Sequence, residues 1–154
     1  MNDFFASLYE FFGLAPLYSK DLGDHLRGLD ITCQGYVGSP LYIYIGISMI
    51  LVTFFTYALQ YHIIDSNRYN KLYHWWITSA ILTIINFFIA FSIPNNDLQN
   101  QNYCNQLINI KFIDCIGFGI SNSILSFILF TLITSFKFPR KFSINCRHTT
   151  FWKP

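Results

Sequence analysis

Apolar positions gather into three long runs along the chain, and polar residues collect between and around them. The stretch from Ile31 to Ile64 holds no Asp, Glu, Lys or Arg. Its second part, residues 41–62, is long and apolar enough to cross the ~30 Å hydrocarbon core of a bilayer as a helix. Further spans are predicted over residues 75–93 and 116–136. Tyr73, Trp75 and Trp76 open the second span as an aromatic belt at the water boundary. Pro94, Asn95 and Asn96 are expected to end it, because proline removes a backbone donor. Lys137, Pro139, Arg140 and Lys141 stop the third.

Ahead of the spans, Phe4, Phe5, Leu8, Phe11, Phe12 and Ala15 recur at helical spacing, while Asp3, Ser7 and Glu10 fall off that stripe. Gly13 and Pro16 end the predicted helix. At about ten residues it is too short to span, so it is expected to lie in the interface or against a partner. It carries no Lys or Arg, which favours a protein contact over lipid headgroups. A helix that covers its own bundle's edge is the equal alternative. The expected fold is therefore all-α and membrane-embedded, with three transmembrane helices and a short N-terminal amphipathic helix. It divides into an N-terminal segment (1–40), a bundle (41–136) and a tail (137–154).

Composition agrees with this reading. Hydrophobic residues make up 53% of the 154 and charged residues only 12%, where soluble domains carry about a quarter charged. No cleavable signal is expected, because the N-terminus lacks a basic region and contains Asp3 and Glu10.

The cations orient the predicted spans. Arg68, Lys71, Lys137, Arg140, Lys141, Arg147 and Lys153 fall on one side, and Lys20, Arg27 and Lys111 on the other. The positive-inside rule places the first group in the cytoplasm. The expectation is a plasma (bacterial inner) membrane protein with its N-terminus outside and its C-terminus inside. The net charge of +2 is too small to argue for nucleic acid.

Within the spans, small and weakly polar residues share faces at 100° per residue. Gly119, Asn122, Ser123 and Ser126 form one stripe, Ser79, Thr83, Asn86 and Ala90 a second, and Gly46, Thr53, Thr56 and Gln60 a looser third. Helices in lipid associate through such faces, since small residues admit close approach and polar ones bond across. Gly117 and Ser121 lie on the opposite face of the third span and offer a second packing surface, to another subunit or another protein. An oligomer could instead line a pore with Ser79, Asn86, Asn122 and Ser126, but no ionisable group lies at depth within the predicted spans.

Candidate chemistry is sparse. Cys104 and Cys115 flank the outer loop and are expected to form a disulfide, with Cys33 as a competitor and Cys146 reduced inside. No pair of His, Cys or Asp supplies the three or four ligands of a metal site, so no metal, cofactor or catalytic residue is expected. His62, His74 and His148 read as headgroup-boundary residues, and His25 as a solvated residue among acids. The tail alternates Lys137, Arg140, Lys141 and Arg147 with aromatic residues including Phe151 and Trp152, and holds no acid. Such a segment binds anionic headgroups or docks on a partner.

The expected function is that of a non-enzymatic structural subunit in a larger membrane complex, with lipids and other membrane subunits or copies of itself as partners. A homo-oligomeric channel or pore-forming effector is the alternative, and a minimal redox component a third.

Overall fold

The computed structural model describes residues 2–11, 17–29, 31–32, 35–36, 40–64, 69, 71–100 and 110–135. Helix α1 covers Asn2–Phe11 and α2 covers Lys20–Arg27. Strands β1 (Ile31–Thr32) and β2 (Gly35–Tyr36) form a two-residue antiparallel pair, Ile31 opposite Tyr36. Three long helices follow: α3 (Leu41–Ala58), continued by a π-helical turn over Leu59–Ile63, then α4 (Leu72–Asn100) and α5 (Phe112–Ser135). Each is long and apolar enough to cross a membrane. The fold is the expected one: helical, with three candidate spans and a short N-terminal helix.

Helix α4 begins at Leu72, three residues earlier than expected, and two further boundaries depart from the sequence reading. The second span continues past Pro94, and α4 ends only at Asn100. Pro94 is buried within it. Proline is tolerated in such helices because neighbours can satisfy the backbone group it frees. Helix α5 begins earlier than expected, at Phe112. Its first turn is capped by Asp114, whose Oδ2 accepts from the Lys111 backbone N–H at 2.8 Å. A carboxylate there complements the orphan donors and the positive end of the helix.

Contacts divide the chain into two compact units, each drawing on all three long helices. The first comprises Met1–Ser48 and Phe87–Asn122. Its centre is aromatic: the Phe118 ring lies 5.1 Å from Tyr9, 5.5 Å from Tyr18 and 5.8 Å from Tyr42 between centroids. Helix α2 starts at a serine cap, with Ser19 Oγ accepting from the Leu22 N–H, and stops at Gly28, whose φ of 78° only glycine adopts cheaply. It buries Leu22 and Leu26 completely.

The second unit comprises Met49–Asn86 and Ser123–Pro154. Its core joins Tyr61, Trp75, Leu82 and Phe130, with Val52, Tyr57 and Phe127 packed against them. Trp75, expected at the water boundary, is fully buried here. It stacks on Phe130 at 5.7 Å and donates its indole N–H to Thr134 Oγ1 at 3.3 Å. Trp76 keeps the exposed position. Adjacent helix residues point about 100° apart, so one tryptophan of the pair turns inward.

Candidate functional site

The polar stripes read from the sequence are largely interior, with Thr56, Thr83 and Ser123 half-buried. Thr53, Gln60, Ser79, Asn86, Asn122 and Ser126 are all buried, as are Ala90 and Gly119. Most hydroxyls turn back onto their own helix: Thr53 donates to the Met49 carbonyl at 2.7 Å and Ser126 to that of Ser123 at 2.9 Å. Asn86 Nδ2 donates likewise to the Leu82 carbonyl at 3.2 Å. Ser123 reaches across instead, its Oγ donating to the Thr83 carbonyl of α4 at 2.9 Å. Ser123 and Thr83 thus tie α5 to α4.

Gly117 and Ser121 are buried within the chain itself. The protein's own Leu17–Tyr18 segment fills that surface, and the space beside Gly117 is taken by the Leu17 carbonyl. Ser121 is buried, and its Oγ donates to the Gly117 carbonyl at 3.0 Å. The N-terminal helix also packs on its own chain. Phe5 and Tyr9 are buried and Leu8 is half-buried, while Phe4 is 65% exposed. Phe5 lies over Gly46, where no side chain would fit without moving the ring. The side chains of Phe11 and Phe12 lie outside the described residues.

Tyr9 anchors this helix, and the hydrophobic stripe did not single it out. Its hydroxyl donates to Asn122 Oδ1 at 2.6 Å, a fully buried bond. The spacing Phe5 to Tyr9 is one helical face, which is the signal that could have found it. Burial raises the Tyr9 phenol above its ordinary pKa, and the nearby Tyr18 adds to the effect, so Tyr9 stays a neutral donor. Tyr18 shares a hydrogen bond with Tyr42 at 3.1 Å. The Ser19 N–H donates to Asp114 Oδ1 at 3.1 Å, so one carboxylate both caps α5 and holds the start of α2.

Charged groups of this unit pair at its edge. The Arg27 guanidinium meets the Glu10 carboxylate, joining α2 to α1. His25, read from the sequence as solvated, is buried, with Nε2 3.5 Å from Asp97 Oδ2. That contact exists because α4 continues past Pro94. Glu10, Lys20, Asp24 and Arg27 line an open cavity of about 350 Å³. Among the described residues no three His, Cys, Asp or Glu side chains gather as metal ligands.

Cys115 is buried and carries a free thiol, so the expected bridge to Cys104 is not formed. The side chain lies on the inward face of α5 rather than at the loop. Cys104, Cys33, Cys146 and the whole tail, including Lys137, Arg140, Lys141, Arg147, Phe151 and Trp152, lie outside the described residues. His62 packs on Tyr57, and His74 lies between Tyr69 and Tyr73, beside the first residues of α4.

The second unit also holds a groove between α3 and α4 of about 520 Å³. Its walls are mostly aliphatic, including Val52, Ile77 and Ile81, with Gln60, Tyr69 and His74 at one end.

Three long apolar helices with buried small and polar residues define a multi-pass helical membrane protein. No family model matches the chain, and no curated protein or solved structure matches it either.

Proposed function

We propose that this protein is a non-enzymatic structural subunit of a larger membrane assembly. The observation that supports the reading is the burial of Asn86, Asn122 and Ser126 within a single chain. A pore formed by several copies would need such residues to face outward from each copy, toward a shared water path. Here they close one chain's own packing instead. The exterior is left to large apolar side chains such as Leu51, Phe54, Ile84, Phe88 and Leu132, which suit lipid or a neighbouring helix. We place it in a plasma (bacterial inner) membrane, and the cation distribution supports an N-terminus outside and a basic, aromatic tail in the cytoplasm, where it meets anionic lipid or a partner subunit. Its partners are lipids and other membrane subunits or further copies, and not nucleic acid.

Native mass spectrometry of the protein, extracted in mild detergent from its own host, tests the proposal. Unlike chains co-purifying at a fixed ratio support it. A homo-oligomer without other chains, leaking ions when reconstituted in liposomes, overturns it in favour of a channel. Reporter fusions at the two termini test the orientation.

A further inference from the structure

We infer that the groove between α3 and α4 is a binding site for one acyl chain of an anionic phospholipid. The inference rests on the membrane-spanning fold and not on the subunit proposal. Three observations point to this occupant.

The first is length. The groove runs from His74 to Ile85, eleven residues along α4. That is ~16 Å of helix, about half the ~30 Å hydrocarbon core. The groove is therefore one leaflet deep, as an acyl chain is. A transmembrane partner helix would be expected to engage a face continuing through both leaflets.

The second is the order of its lining. Gln60, Tyr69 and His74 stand where α3 ends and α4 begins, which is the membrane boundary. Thr56 and Thr78 follow, and Val52, Ile81 and Ile85 lie deepest. Gln60, Tyr69 and His74 share the boundary end with Leu59 and Ile64, while the deep end is apolar, so the strongest polar groups stand where a headgroup would. The π-helical turn over Leu59–Ile63 places Gln60 at this boundary. Such turns recur at functional sites.

The third is charge. The exposed Lys71 stands beside the mouth, its carbonyl accepting the His74 N–H at 3.0 Å. Among the described residues its ammonium makes no ion pair and no acidic side chain lines the groove. Such a mouth attracts an anionic headgroup in preference to a zwitterionic one.

The test is native mass spectrometry of the full chain, delipidated in detergent and titrated with phosphatidylglycerol or phosphatidylcholine. One tightly retained adduct is expected, favouring phosphatidylglycerol. Ile81 is 53% exposed on the groove wall, so Ile81→Trp fills the groove with little disturbance of the core. It should weaken that adduct at least tenfold, whereas Ile124→Trp, exposed on α5 and outside the groove, should leave it unchanged. Lys71→Gln should reduce the headgroup preference about fivefold while the adduct remains. A photo-crosslinking residue at position 81 should capture lipid in native membranes. Capture of a protein helix or a second copy there, equal retention in the Ile81 and Ile124 variants, or no headgroup preference would overturn the inference.

Discussion

The carbonyl oxygen of Leu17 occupies the place where a Cβ at Gly117 would stand. No side chain fits there, and the obstacle is backbone, which cannot rotate away. Gly117→Ala should therefore displace the Leu17–Tyr18 segment or bend α5, at a cost of about 1–3 kcal/mol or more. Thermal denaturation in detergent and limited proteolysis near residue 17 would register it. Gly23 is the contrast. A Cβ there would sit 3.5 Å from Tyr42 Oη and 3.7 Å from Tyr18, which is ordinary contact. Gly23→Ala should stabilise α2 by up to about 1 kcal/mol through helix propensity.

Tyr9→Phe removes the donor that Asn122 Oδ1 receives at 2.6 Å. The expected cost is about 1–3 kcal/mol, because a buried acceptor loses its bond. Asn122→Leu should cost a similar amount. A double-mutant cycle should return a coupling of about 0.5–2 kcal/mol between the two positions. A coupling near zero would mean that the N-terminal helix is not anchored through this bond.

The two adjacent tryptophans should behave oppositely. Trp75→Ala removes a fully buried indole and its bond to Thr134, and should cost about 3–5 kcal/mol. Trp76 is 46% exposed, so Trp76→Ala should cost much less. If the melting curves show the reverse order, Trp75 belongs at the membrane boundary after all.

Alkaline pH should destabilise the first unit. Burial holds the folded-state pKa of Tyr9 above its unfolded value of about 10. A group raised in this way contributes stability that is fully present below pH ~10 and is lost as pH rises toward the folded value. Tyr9→Phe should flatten that part of the stability–pH profile relative to wild type. Tyrosinate absorbance during unfolding would follow it.

Much of the architecture was legible in the residues. Leu41–Ala58 carries no charge at all, and such a run has few stable homes outside a membrane. The stripes of Ser79, Asn86, Asn122 and Ser126 marked the interior, because in lipid the small and polar faces are the ones that associate. Helix ends were less legible. Pro94 argues for a stop by local chemistry, yet α4 continues through Asp97. The same continuation brings Asp97 to His25, a contact between residues far apart in the chain.

What the sequence by itself determined is the class of protein and the faces its helices bury, because apolar length and helical periodicity are local properties. What only the tertiary structure decided is which surface each face meets. Gly117 and Ser121 could have served a partner, and the phenylalanines of α1 could have served a membrane or another chain. The fold covers Gly117 with Leu17, lays Phe5 over Gly46 and bonds Tyr9 to Asn122, while Phe4 stays exposed. A small-residue face specifies close approach but carries no label for its partner. That choice depends on where a short helix and its connection bring a carbonyl, a ring and a hydroxyl in three dimensions.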